Sequence, residues 1–217
     1  ARRPPAGRVS ATQTAPGATA CLAGNLLRTR LPLGCEDARV AESVESLAEM
    51  VLRDGYRCRY NALQARDGNW PTRMRDGLPC AWGAIKSLGA FGEMPEEQRS
   101  PALQDAIEAG TALLLDGSLA DGDYPTATEP SPQWQKFGFP LGYNSDLLEA
   151  LEVLGKLGVE HGPQVALALE VVRSKRDESG RWMLEHTPGN TWAEPGKVGE
   201  PNKWVTQRAL RALRQWE

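Results

Sequence analysis

Residues 137–158 read FGFPLGYNSDLLEALEVLGKLG, and the architecture of the chain follows from this stretch. A turn rich in Gly, Pro and aromatic residues runs into a segment with Leu147, Leu151, Leu154 and Leu157 spaced for one face of a helix. The same kind of unit recurs. Tyr143 here, Cys80 in PCAWGAIKSLGAFG and Lys203 in PNKWVTQRALRALRQW each open such a helix, and Cys21 in ATACLAGNLLRTRLPLG opens a fourth. Successive openings are 59, 63 and 60 residues apart. A second set of helices, marked by Val40, Leu103 and Val165, recurs at steps of 63 and 62. A near-constant period signals repeated supersecondary units that bury their apolar faces against neighbours.

Working outward, apolar periodicity predicts helices over 20–31, 36–53, 80–92, 101 to about 116, 143–157, 163–176 and 203–216. Val40, Val44, Leu47 and Val51 mark the second of these, with Glu36 and Asp37 favourably placed in its first turn. Ser100 is the expected N-cap of the fourth, with Pro101 at its first position. Short links alternate with long irregular connections at 54–78, 117–142 and 177–202, which describes αα-hairpins joined by long loops. The expected fold is all-α. If the first helix of each hairpin faces an axis and the second packs outside it, the hairpins form an α/α-toroid-like arc, a partial (α/α)6 barrel. That repeat domain spans 20–217, preceded by a flexible arm over 1–19 that is rich in Ala, Arg, Pro, Gly and Thr. The long loops then gather at the N-terminal end of the inner helices, where a site would be built.

Composition narrows the function classes. A chain of 217 residues suits one domain with a proper core. A net charge of −3 gives no electrostatic reason to expect nucleic acid or an anionic membrane as partner, and Arg2, Arg3 and Arg8 belong to the arm. No apolar run is long enough for a transmembrane segment. Four cysteines do not demand a disulfide framework. The chain opens on Ala1 without a signal-peptide pattern, so cytoplasm is the expected compartment. A loop leading straight into an inner helix suggests that further sequence lies upstream.

Three parts of the chain carry a family resemblance. SKRDESGRW (174–182) is similar to a QW-type repeat, an outer-helix end followed by Gly-x-Trp, with Arg176 in the usual Gln position. ARDGNW (65–70) repeats the Asp-Gly-x-Trp ending, and the helices opening at Tyr143 and Lys203 look like inner helices. Over residues 20–217 the chain resembles the terpenoid cyclase and protein prenyltransferase α/α-toroid superfamily, and within it bacterial prenyltransferase/squalene-oxidase-repeat proteins. In a QW-type ending Gly permits the tight turn and the Trp ring packs back on the helix end, so Trp70 and Trp182 are structural first. The departures matter as well. The Asp-x-Asp-Asp acid of alkene-protonating cyclases does not occur; DGDY (121–124) looks like a turn. A complete toroid has six hairpins, whereas three and a terminal half are counted here.

Several residues are candidates for chemistry, each with a plainer alternative. Cys21 and Cys80 at inner-helix starts, Cys58 in the first long loop and His186 in the third would supply four donors for a tetrahedral zinc. The resemblance adds that protein prenyltransferases carry zinc near inner-helix starts, in motifs this chain lacks. Cysteines are equally at home as small buried apolar groups. Asp146 and Glu149, about one turn apart, could serve as general acid and base, or simply complement the helix dipole. Trp82, Tyr143 and Trp204 could line an apolar cavity and meet a cation, or pack between hairpins. Lys203 and Arg208 could meet a diphosphate, with a solvated helix face as the alternative. His161, in EHGP, reads as a solvated turn residue.

The leading expectation is a terpenoid-cyclase/prenyltransferase-like toroid protein that binds an apolar, isoprenoid-type small molecule near the inner-helix N-termini, as an enzyme or as a subunit. Two alternatives stand beside it. One is a non-catalytic helical-repeat scaffold, with a protein partner completing the arc. The other is a glycan-active α/α-toroid enzyme, in which Asp146 and Glu149 would be the carboxylates. Fold analogy alone does not choose among them.

Overall fold

The computed structural model describes residues 19–33, 37–57, 79–122, 131–189, 191 and 193–217. Among the described residues the protein is all-α. Seven α-helices are present: α1 (Ala20–Arg30), α2 (Ala38–Asp54), α3 (Ala81–Phe91), α4 (Pro101–Leu115), α5 (Leu147–Lys156), α6 (Pro163–Ser174) and α7 (Lys203–Gln215). Among the described residues extended chain occurs only as isolated bridges, such as Gly138 with His186 and Met183 with Pro201. None of the described helices is long and apolar enough to cross a membrane. Cys58 and Trp70, named above, lie outside the described residues, as does the predicted arm up to residue 18.

The chain forms two compact units, dividing between Leu114 and Leu115. In the first unit α1 packs mainly on α3, with α2 against both. The register is read from small residues. A Cβ on Gly83 would sit 3.5 Å from that of Ala20, one on Gly24 would lie 2.3 Å from the Lys86 carbonyl oxygen, and one on Gly89 would lie 3.0 Å from Arg28 Cδ. Contacts that advance in the same direction along both helices mean that α1 and α3 run parallel, one repeat apart. Tyr56 ties the end of α2 to α4. Its buried hydroxyl donates to the Ala106 carbonyl at 2.6 Å, close over Gly110. Burial pushes that hydroxyl's pKa well above its ordinary value. Gly55 ends α2 in the left-handed conformation, and Tyr56 itself follows at φ 59.

The second unit repeats the plan. α5 packs mainly on α7, again parallel, with α6 against both. Trp216 Nε1 donates to the Leu151 carbonyl at 3.1 Å, and a Cβ on Gly155 would meet the Gln215 side chain at 2.8 Å. Two of the first helices, α3 and α5, are enclosed. Every residue of α5 from Leu147 to Val153 is buried, as is Leu154, and all of α3 except Trp82. The second helices are amphipathic: α2 buries Val40, Val44, Leu47, Ala48 and Val51 and exposes Glu42 and Glu49.

Most predicted boundaries agree to within two residues, and Ser100 Oγ does accept from the Leu103 amide as an N-cap. One differs more. The central helix starts at Leu147, four residues after Tyr143, because Asp146 takes the N-cap position and the turns around Pro140 and Gly142 precede it. Tyr143 is therefore a loop residue, and Asp146 stands just outside the helix.

Candidate functional site: the N-terminal end of α5 and α7

The site in the second unit is built by the loop 131–146, which the surrounding chain fixes at several points. Trp134 is fully buried; its indole N–H donates to the Leu119 carbonyl at 2.7 Å, and its own carbonyl accepts from the Leu147 amide at 2.8 Å. Glu185 accepts from the Phe137 amide at 2.9 Å and from Lys175 Nζ at 2.7 Å, while that ammonium lies 4.8 Å from the Phe137 ring centre. The Phe139 amide donates to the His186 carbonyl at 3.2 Å, and a cis peptide joins Phe139 to Pro140.

Inside this loop lies a buried ionic cluster. Asp146, 2% exposed, accepts four hydrogen bonds of 2.9 Å. They come from the Gly138 and Glu149 amides and from both terminal nitrogens of Arg208. Arg208, 9% exposed, also donates to the Gly138 carbonyl at 2.9 Å and to Glu152 at 3.2 and 3.3 Å. Burial by itself would raise the Asp146 pKa. The Arg208 charge and these hydrogen bonds outweigh it, and the carboxyl is held below its ordinary value. Arg208 is held cationic in turn: burial opposes its charge, and Asp146, Glu152 and Glu149 more than compensate. Bidentate, charge-assisted contacts of this kind suit guanidinium better than any other side chain.

This arrangement corrects one expectation. Arg208 is on neither a solvated face nor a diphosphate-binding one, since Asp146 and Glu152 occupy it within the protein. The sequence held two signals for the cluster. Asp146 followed by Glu149 is a capping-box spacing at the true helix start. Position 208 also lies between Val205 and Ala212 on the buried face of α7, where a charge requires a partner.

Above the cluster the site is aromatic. Asn202 caps α7 by accepting from the Trp204 and Val205 amides at 2.9 and 3.2 Å, which fixes the first turn. Trp204, 40% exposed, stacks on Phe139 with ring centres 5.1 Å apart and planes within 12°. Lys203 Nζ lies 5.0 Å from the Trp204 ring centre. Tyr143 is 55% exposed in the same loop.

The other predicted residues are placed separately. Glu149 is buried in the first turn of α5. Trp82 is half-buried on α3 in the first unit. Cys21 is the second residue of α1, and Cys80 is the N-cap of α3, its Sγ accepting from the Gly83 amide at 3.4 Å. His186 lies beside Asn144, 3.4 Å from its side-chain nitrogen. Among the described residues no three or more His, Cys, Asp or Glu side chains are grouped to hold a metal ion. Cys58 lies outside the described residues.

The turn after α6 has the local geometry its residues require. Gly180 adopts φ 78 in the turn after α6, and Trp182 is fully buried with its indole N–H donating to the Val172 carbonyl at 2.7 Å. The Arg176 guanidinium lies 5.7 Å from the Trp182 ring centre. The chain matches no protein-family model, and no curated protein or solved structure matches it.

Proposed function

We propose that this is a helical-repeat protein of the α/α-toroid kind that binds an apolar, isoprenoid-type ligand at the N-terminal end of α5 and α7. The observation that carries this reading is the stack of exposed Trp204, on α7, on half-buried Phe139, in a loop held in place by hydrogen bonds, with Lys203 beside it. A flat, pre-formed aromatic surface recovers hydrophobic free energy from an apolar chain at little ordering cost. The geometry of Gly180, Arg176 and Trp182 supports the family part of the reading.

The binding role rests on the rings and not on acid catalysis by Asp146. Both oxygens of that carboxylate already accept two hydrogen bonds each, which favours its charged form and leaves it no proton to give. The same fact weighs against the glycan-active reading with Asp146 as a catalytic acid. Calorimetric titration with farnesol tests the proposal. Saturable binding by the natural chain is expected, weakened about tenfold or more by Trp204→Ala, the scale of losing ~1.5–3 kcal/mol of ring contact. No farnesol binding, or equal binding by the variant, would sink it. Binding of a soluble linear glucan in its place would turn the reading to carbohydrate.

A further inference from the structure

Two helices, one in each unit, present an exposed stripe of regular spacing, and the stripes are complementary. On α7 the stripe is Trp204, Gln207, Leu210, Arg211 and Arg214. Leu210 is 43% exposed, and no acidic residue occurs anywhere in α7. On α2 it is Glu42, Glu45, Glu49 and Leu52, of which Glu45 is half-buried and the others are exposed. The two arginines of α2 do not cancel this acidity, because each is taken by a neighbouring aspartate: Arg39 by Asp37, and Arg53 by Asp54 at 3.0 Å.

We infer that the two faces bind each other between copies of the chain, α7 of one copy lying antiparallel on α2 of a second. Trp204, Gln207, Arg211 and Arg214 step along α7 at intervals of three, four and three residues, as Glu42, Glu45, Glu49 and Leu52 do along α2, so one register pairs these four positions. Leu52 meets Trp204, Glu49 meets Gln207, Glu45 meets Arg211 and Glu42 meets Arg214. The apolar pair falls at one end and the charge pairs at the other. Any parallel register pairs these residues less well, since it sets Trp204 among glutamates. An antiparallel crossing also places each helix N-terminus near the other's C-terminus, where the helix dipoles attract. The occupant is a second copy because both complementary faces belong to this one chain. Such a contact joins different surfaces, so it closes as a reciprocal pair about a two-fold axis or continues as a ring or an extending row. With its charges at the rim it is salt-sensitive.

Sedimentation velocity of the full chain at low and high salt tests this. Association that grows with concentration at low salt and falls away at high salt is expected. Glu42→Arg and Arg214→Glu should each weaken it about tenfold or more, since each sets like charges together. An equal mixture of the two variants should regain association, because each supplies the face that the other has reversed. Both residues are exposed, and unchanged far-ultraviolet dichroism and urea midpoint confirm that the variants fold. A monomer at low salt overturns the inference, as does association untouched by either reversal or not recovered on mixing. The register seats Leu52 on Trp204, so farnesol and the second copy compete for that ring; Arg214 stands ten residues from it, about 15 Å along the helix, and failure of the charge reversals leaves the ligand reading intact.

Discussion

The two units join equivalent helices by opposite means. In the first, α1 meets α3 through absence of side chain: Gly24 faces the Lys86 carbonyl and the Ser87 amide, Gly83 faces Ala20, and Gly89 makes room for Arg28. In the second, α5 meets α7 through a buried arginine gripping an N-cap aspartate and a mid-helix glutamate. Both contacts keep parallel helices one repeat apart. The repeat therefore specifies where helices go and leaves open how each interface is made. A close backbone contact tolerates almost no added volume. A buried ion pair tolerates no loss of either partner. The two units should fail differently when each contact is broken.

The largest effect is expected from the ionic cluster. Asp146→Ala removes the N-cap of α5 and takes from buried Arg208 the carboxylate that grips both of its terminal nitrogens. The expected loss is about 3–5 kcal/mol of stability in urea unfolding. Asp146→Ser keeps a capping oxygen and discards the charge, so its smaller deficit, by roughly 1 kcal/mol, measures the cap alone. The cluster also sets a pH dependence. Asp146 is held below its ordinary value when folded, so the unfolded chain takes up its proton first as pH falls. Its contribution is whole above the ordinary aspartate range, about pH 4, and is lost as pH falls through the folded value. Acid titration of the natural chain against Asp146→Ser should therefore converge at low pH. Parallel curves would show that the carboxylate contributes nothing through its charge.

Next in size is Gly24→Ala. The added methyl would sit 2.3 Å from the Lys86 carbonyl oxygen and 2.7 Å from the Ser87 nitrogen, both backbone atoms that move only if α1 and α3 separate. A loss of about 1–3 kcal/mol is expected, although alanine is the better helix former by roughly 1 kcal/mol. Hydrogen exchange of α1 amides provides the reading, with protection falling there while α5 and α7 keep theirs. A stabilised variant would mean that the two backbones do not approach as described.

These two contacts also mark what could be read from residues alone. Helix positions and the Ser100–Pro101 start of α4 were legible, because apolar spacing and capping chemistry are local. The glycine contact was not, since Gly24, Gly83 and Gly89 depress helix propensity and periodicity assigns them no face. Arg208 was misread because its partners lie in a loop and a helix distant in sequence, and a charge next to Lys203 and Arg211 looks solvated. Tyr143 was placed at a helix start because the step from Cys80 suggested it, whereas capping preference put the start at Asp146. Local chemistry located the elements; pairing across the repeat decided the site.

The smallest effect separates shape from hydrogen bonding at the turn after α6. Trp182→Phe retains an aromatic ring against the end of α6 and removes the indole N–H that donates to the Val172 carbonyl. A buried carbonyl without its partner costs about 1–3 kcal/mol, but this one, at the end of a helix, can be reached by the Lys175 amide, which donates to it at 3.3 Å. The expected loss is therefore about 1 kcal/mol from the bond plus whatever the smaller ring leaves unfilled. Gly180→Ala sharpens the comparison. It keeps the indole but forces a side chain onto φ 78, with its Cβ 2.9 Å from Arg176 Nη2. Arginine can swing aside where a backbone cannot, so this variant should lose about 1 kcal/mol, chiefly through the left-handed backbone. If it instead loses as much as Gly24→Ala, Arg176 is held against Trp182 as firmly as a helix backbone, and the two units resemble each other more than their chemistry suggests.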